Sequence, residues 1–215
     1  MRNLALMWVL AGVVGLAFGG GDTSIVPTFT DERDGKVYKI VKIGRQTWFA
    51  ENLNYAAEGS VCYKNKNANC AKYGRLYNWE TALTACPAGT HLPTYWEWTT
   101  LVDYAGGDST AGTKLKSSRG WKRFKGVPVG TNDYGFLALP GGVCFRNGFY
   151  CVGYCGYWWS ASDLYGCGSW GDTTENCAWR RRMNHNYEDV ESAYDDKTDL
   201  FSVRCVLYDE KEKRK

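Results

Sequence analysis

Nine cysteines, at positions 62, 70, 86, 144, 151, 155, 167, 177 and 205, carry the most readable chemistry in this 215-residue chain. In an oxidising compartment such thiols pair as disulfides, whereas in a reducing one they bind metal or act as nucleophiles. The metal reading lacks support, because the spacings offer no paired Cys knuckles and only two histidines accompany them. The cysteines are therefore read as staples, and their odd number leaves one outside any pairing within the chain. Catalysis by a nucleophile and base would need His91 or His185. His91 immediately precedes a helix start, and His185 sits in the polar run NHNYED, predicted to be exposed; neither has a Ser or Cys partner in a motif. Glu51 with Asp133 could form a glycosidase-like carboxylate pair only at a separation that sequence does not fix. Glu51 and Asn52 are instead read as polar groups satisfying core backbone.

Two basic runs raise the question of phosphate or nucleic acid. In Arg180-Arg181-Arg182, strand alternation splits the charges between two faces, so a solvated strand face is expected rather than a continuous patch. Lys114, Lys116, Arg119, Lys122, Arg123 and Lys125 read as a soluble loop. No nucleic-acid partner is expected. The stretch from Cys144 to Cys177 is more informative, because it is crowded with aromatic residues and pinned by thiols. Aromatic rings stack on sugar rings, and a cross-linked loop loses little entropy on binding. Tyr150, Tyr154, Tyr165 and Trp170 are the candidate ligand contacts, while Trp158 and Trp159 are expected to pack inward.

The elements that would position these residues follow from periodicity and punctuation. VYKIVKI at 37–43 reads as a strand, turning through Gly44-Arg45 into a second strand at 46–50. Between Cys62 and Cys70 the run KNKNAN cannot pack, so a local bridge is expected to organise it. Asn78 caps a helix carrying Trp79, Ala82, Leu83 and Cys86 on one face and stopped by Pro87. Thr94 and Glu97 form a capping box for a second helix, with Trp98, Leu101, Val102 and Ala105 as its apolar stripe. Beyond Asp108 the apolar islands 136–139, 157–160, 178–183 and 201–207 read as short strands between long loops. In the last, alternation predicts one buried face.

Composition bounds the class. The chain is 44% hydrophobic and 23% charged with a net charge of +3, which excludes a disordered or collagen-like protein and names no polyanionic partner. Arg2 followed by the apolar run 4–18 and Gly19 reads as a signal peptide over residues 1–19, cleaved after Gly19. The run falls short of the roughly 20 residues a spanning helix needs, so no membrane span is expected after cleavage. No Cys precedes Cys62 to take a lipid anchor. Residues 20–30 read as a polar leader, 31–208 as one domain, and 209–215 as a charged tail.

The blocks DERDGKVYKIVKIGRQTWFAENLNY, CAKYGRLYNWETALTACPAGTHLPTYWEWTTL, AGTKLKSSRGW, DYGFLALPGG, YWWSAS and SVRCV together resemble the Fibrobacter succinogenes major paralogous domain over roughly residues 31–207. The resemblance implies an exported or surface-attached α+β protein of C-type lectin-like or formylglycine-generating-enzyme-like fold, with two short helices packed on small antiparallel sheets and long disulfide-stapled loops. By analogy with lectin-like folds it implies a Cys86–Cys205 bridge; beside it, Cys167–Cys177 is expected as a third bridge and Cys144 with either Cys151 or Cys155 as a fourth. Calcium-dependent lectins carry Glu-Pro-Asn or Gln-Pro-Asp and then Trp-Asn-Asp; neither is present, and Trp170-Gly171-Asp172 is a poor substitute, so no cofactor is expected. Formylglycine-generating enzymes use a cysteine pair that Cys205, alone in its strand, does not supply. The expectation is a non-enzymatic, exported binding module for polysaccharide, plant polysaccharide in particular, or for an envelope protein. The alternatives are a structural component of the cell envelope and, disfavoured, an oxidase of the formylglycine-generating kind.

Overall fold

A computed structural model of the protein describes residues 26–146, 148–165, 167 and 176–208. The expected signal peptide and charged tail lie outside the described residues. Within them the architecture is α+β. One five-stranded sheet has the order β1 (Thr28–Thr30), β2 (Val37–Ile43), β3 (Gln46–Phe49), β12 (Val206–Leu207), β5 (Thr90–His91). A second has the order β10 (Glu191–Asp196), β9 (Asn176–Asn184), β8 (Cys155–Tyr165), β11 (Phe201–Ser202), β4 (Leu76–Tyr77). A small hairpin, β6 (Val143–Phe145) with β7 (Gly148–Tyr150), completes the strands. The helices are α1 (Asn67–Tyr73), α2 (Trp79–Ala85), α3 (Tyr95–Tyr104) and α4 (Ala111–Leu115).

Local chemistry accounts for several of these elements. Ile43 pairs with Gln46, leaving Gly44-Arg45 as a two-residue turn, and Gly44 has φ of +59°, which a glycine adopts without penalty. The Asn78 side chain accepts from the Thr81 amide to cap α2. Thr94 and Glu97 exchange hydrogen bonds in a complete capping box at α3. Other elements depart from the sequence reading. The loop between Cys62 and Cys70 forms a 3₁₀ turn at Tyr63–Asn65 and the start of α1; with α4 as well, the α-helices number four among the described residues rather than two. Thr28–Thr30, read as leader, pairs with Val37–Lys39 at the sheet edge. Residues 136–139 make only a bridge at Ala138, not a strand. Leu137 sits at φ of +54°, and the Phe136 and Leu137 carbonyls turn aside to the Arg204 guanidinium. The strands expected at 157–160 and 178–183 are parts of one long hairpin, β8–β9, whose register shifts between Trp159 and Asp163.

Alternation of side chains along two strands divides the core. Trp48 and Phe49 are consecutive in β3, and Trp158 and Trp159 are consecutive in β8; neighbours in a strand face opposite sides. Trp48 and Trp158 enter one cluster with Trp98, Leu101 and Val102 of α3. Phe49 and Trp159 enter the other with Tyr77, Ala82 and Phe201 beneath α2. The buried indoles keep their N–H groups satisfied, as buried polar groups must be. Trp79 donates to the Ser160 carbonyl at 2.8 Å, Trp98 to Trp159 at 3.2 Å, Trp159 to Tyr77 at 2.8 Å, and Trp158 to Asn52 Oδ1 at 2.8 Å.

The closing segment 201–207 ties the two sheets together. β11 belongs to one sheet and β12 to the other, and between them the Val203 and Cys205 carbonyls accept from the Leu53 and Phe49 amides. A segment that crosses between sheets has no solvent side, so residues 201–206 are all buried, and the expectation of a single buried face is corrected. Arg204 is fully buried there and donates to the carbonyls of Phe49 and Phe136 at 3.0 and 2.6 Å and to Asn52 Oδ1 at 2.8 Å. Asn52 Nδ2 in turn donates to the Tyr73 carbonyl at 2.8 Å.

Four disulfides are present among the described residues: Cys62–Cys70, Cys86–Cys205, Cys151–Cys155 and Cys167–Cys177. The expected link from Cys144 to Cys151 or Cys155 is corrected, because those two residues bond to each other. The Cys151 carbonyl accepts from the amides of both Tyr154 and Cys155, a tight turn that brings the two Cα atoms to 5.6 Å. Cys144 lies opposite Phe149 in the hairpin, its backbone also bonded both ways to Leu200, and its side chain is buried beside Tyr63 and Leu76.

The arginine run is corrected as well. β10, beside β9, brings carboxylates onto the face that carries Arg180 and Arg182, and α3 packs on the face that carries Arg181. Arg180 pairs with Asp195 at 2.7 Å and Glu191 at 2.9 Å, Arg182 pairs with Glu191, and Arg181 is buried against α3, donating to Thr99 Oγ1 at 2.7 Å. Lys116, read as part of a soluble loop, is buried with its ammonium bonded to the carbonyls of Asn184 and Tyr187.

By loop-closure entropy the two bridges of very different span should differ in weight. The Cys86–Cys205 bridge spans 119 residues and the Cys62–Cys70 bridge spans 8. Replacing the first pair by Ser is expected to lower the unfolding free energy by about 5 kcal/mol, and the second by about 2.5 kcal/mol. Urea denaturation of the two double variants reads the difference, and equal or reversed losses would contradict it.

Candidate functional site

The β6–β7 hairpin and the Cys151–Cys155 turn stand over the start of β8. Gly142, which leads into the hairpin, has φ of +72°, and a Cβ there would come within 2.6 Å of the Tyr150 carbonyl and 2.7 Å of the Tyr63 ring. The hairpin can therefore lie flat on its neighbours only because residue 142 has no side chain. Beneath it opens a concavity of about 580 Å³ with Phe145, Tyr150 and Tyr157 as aromatic walls and Arg146 and Asn184 as polar groups. Tyr150 is 55% exposed, whereas Tyr157 is buried. The Phe145 ring meets Tyr157 edge-on at 5.8 Å and Phe201 edge-on at 5.7 Å, so this wall is continuous with the core. Rings fixed by such packing need little ordering on binding.

Phe145 and Arg146 also border an adjoining concavity of about 420 Å³, lined by Asp195, Asp196 and Asp199. The two hollows share a rim, so aromatic surface gives way to carboxylates across one hairpin end. Asp199 is buried, and that burial pushes its carboxyl up to about 6, with the charges of Asp195 and Asp196 adding to the effect. A hydrogen bond from the Arg146 backbone and the Arg146 charge oppose the rise. Asp195 is itself engaged by Arg180.

The candidate ligand contacts are distributed as follows. Tyr150 lines the aromatic concavity. Tyr154 is 45% exposed but does not line it; its ring meets His185 at 5.0 Å. Tyr165 ends β8 opposite Asn176, and Trp170 lies outside the described residues. Arg146, Asp195 and Asp199 were not singled out from sequence. Only the composition of DDKTD at 195–199 hinted at an acidic rim, and it does not say where the carboxylates point.

The groups weighed for catalysis have other engagements. His91 Nε2 lies 2.6 Å from Glu97 Oε1, and its ring stacks on Tyr208 at 4.4 Å. Burial works to raise Glu97, but hydrogen bonds from His91 and Thr94 hold it below its ordinary value. His185, expected to be exposed, is half-buried between Tyr154 and Phe124. Glu51 accepts from the Lys39 amide, Asn52 points inward, and Asp133 is exposed. Among the described residues, no group of three or more His, Cys, Asp or Glu side chains could hold a metal ion.

A family model described as the Fibrobacter succinogenes major domain matches residues 41–207. The chain belongs to this family. The match takes in both sheets except β1 and the first residues of β2, and it includes the hairpin and both hollows of this Fibrobacter major domain. No curated protein and no solved structure matches the chain. No helix among the described residues is long and apolar enough to cross a membrane.

Asp199 gives the site a pH signature. Its carboxyl holds a proton to higher pH in the folded protein than in the unfolded chain, so it favours the fold below about pH 4 and that contribution is lost as pH rises through about 6. Asp199→Asn is expected to stabilise the protein at neutral pH by roughly 1–3 kcal/mol and to have little effect below about pH 4. Thermal denaturation across that range tests this; a variant equally or less stable at neutral pH would refute it.

Proposed function

We propose that the protein is an exported, non-enzymatic binding module of C-type lectin-like type that holds polysaccharide, plant polysaccharide in particular, in the hollow beneath Tyr150. The observation carrying this reading is the exposed Tyr150 ring set against Phe145 and Tyr157, with Arg146 and Asn184 beside it. Rings offer apolar faces to the C–H surface of a sugar, while a guanidinium and an amide can bond its hydroxyls. The carboxylates of the adjoining hollow add acceptors at the same rim. Export is supported by the four disulfides, which persist in oxidising compartments, and by the apolar run at 4–18.

A second reading, a structural component of the cell envelope, is favoured by a different surface. Trp96 is 72% exposed and begins a row of rings through Tyr95 and Trp179 to Tyr194, with centroids 5.3, 4.8 and 6.0 Å apart. Exposed aromatic patches of this kind mark protein contacts as well as ligand grooves.

Retention on insoluble xylan and cellulose separates the two readings. Tyr150→Ala is expected to weaken retention about tenfold, equivalent to about 1.4 kcal/mol, with unchanged circular dichroism, and Trp96→Ala is expected to leave it intact. Failure of the wild-type protein to bind any neutral glycan, or loss with Trp96→Ala alone, would overturn the cleft reading.

A further inference from the structure

Three loops that are distant in sequence meet at a surface beside the cleft, two of them also lending Cys151, Cys155 and Asn184 to its lining: 118–126, the turn 151–155 and the turn 184–187. They are tied to one another by backbone. The Lys122 amide donates to the Gly153 carbonyl at 2.7 Å, and the His185 amide donates to the Tyr154 carbonyl at 2.8 Å. The buried Lys116 ammonium grips the Asn184 and Tyr187 carbonyls at 3.0 and 2.7 Å. The Cys151–Cys155 bridge closes the middle loop, and buried Trp121, bonded through its indole to the Ala138 carbonyl at 3.0 Å, anchors the first.

On this platform the His185 ring lies between two others, meeting Tyr154 edge-on at 5.0 Å and Phe124 edge-on at 5.7 Å. Phe124 is 51% exposed. With Tyr154, 45% exposed on the other side of His185, it places two open rings on one tied surface. Its flanks are cationic: Lys122, Arg123 and Lys125 are exposed, as is Arg119, and none of the four makes an ion pair among the described residues. The chain carries no Asp or Glu from 109 to 132. Nearby Glu188 accepts from Thr113 Oγ1 and, with Asp189, counters the buried Lys116.

The geometry points to a second binding site here, for an acidic polysaccharide whose sugar rings bear carboxylates. The rings of Phe124 and Tyr154 would take the C–H faces of the sugars, and Arg123, Lys122 and Lys125 would take the carboxylates. Charge selects an anionic ligand, and the paired rings select one with flat apolar faces between its charges, which a carboxylated sugar chain has. The inference goes beyond the cleft reading: Asn184 belongs to both surfaces, but none of the side chains assigned here to the ligand lines the cleft.

The test uses the disulfide-bonded protein and polygalacturonate, measured by affinity electrophoresis and calorimetry. Binding is expected at 50 mM salt and should weaken by roughly 20-fold at 200 mM, as the displacement of counterions by about three cations implies. Arg123→Glu with Lys125→Glu should abolish it. Phe124→Ala should weaken it about tenfold, and Phe124→Trp should restore it. Tyr150→Ala should leave it unchanged, so loss of one site is distinguishable from loss of the other. All the replaced side chains are exposed, and a thermal melt verifies that each variant is folded. The inference is overturned by absent binding at 50 mM salt, by binding that Phe124→Ala does not alter, or by vesicles rich in phosphatidylserine binding more tightly than polygalacturonate.

Discussion

The fold depends on a buried cation that has no carboxylate partner. Arg204 lies where the closing segment leaves one sheet for the other, and no acid reaches it among the described residues; its guanidinium is held by backbone carbonyls and by Asn52. Burial pulls its pKa down to about 9, so it remains charged at neutral pH, with only the more distant Glu51 opposing the shift. An unpaired charge in a core is tolerated only where most of its donors are met; here both terminal nitrogens have acceptors, and Nε alone has none among the described residues. The acceptors come from β3, from the irregular 136–137 segment and from Asn52, and Asn52 also holds Trp158 of β8 and the carbonyl of Tyr73 at the end of α1. One guanidinium and one carboxamide thus fix the relative positions of both sheets and of the loop between them.

This node explains what could and could not be read from sequence. The caps of α2 and α3 were legible because Asn78, Thr94 and Glu97 act within three residues of the amides they satisfy. The β2–β3 turn was legible for the same reason. Asn52 was legible only as a core polar residue, since its partners lie 21 to 152 positions away. Residues 136–139 look like a strand by composition, but their carbonyls serve Arg204, and no local pattern reports a bond to a side chain 68 residues later. The arginines of β9 looked solvated because the strand that carries Glu191 and Asp195 follows later in the chain.

The candidate sites show the same division between local and distant information. The density of aromatics between Cys144 and Cys177 identified the region, and Tyr150 does line the hollow. Tyr154, only four residues on, faces a different neighbourhood because the disulfide-closed turn after β7 redirects the chain. The carboxylates of the adjoining hollow arrive from the end of β10 and the turn after it, and the basic loop beside Tyr154 arrives from before β6. Each surface is assembled from segments that share no sequence signal, and the rigid, cross-tied core is what brings them into register.

A double-mutant cycle on Arg204 and Asn52 tests this dependence most directly. Arg204→Met and Asn52→Leu should each destabilise the protein by about 3–5 kcal/mol, because each leaves buried polar groups of the node unmet. Together they should destabilise it by about 2 kcal/mol less than the sum, since the two side chains act as one unit. Equilibrium unfolding in urea of the four proteins supplies the cycle. Losses that add to within about 0.5 kcal/mol would mean that the two residues act independently, and the node would not be what holds the sheets together.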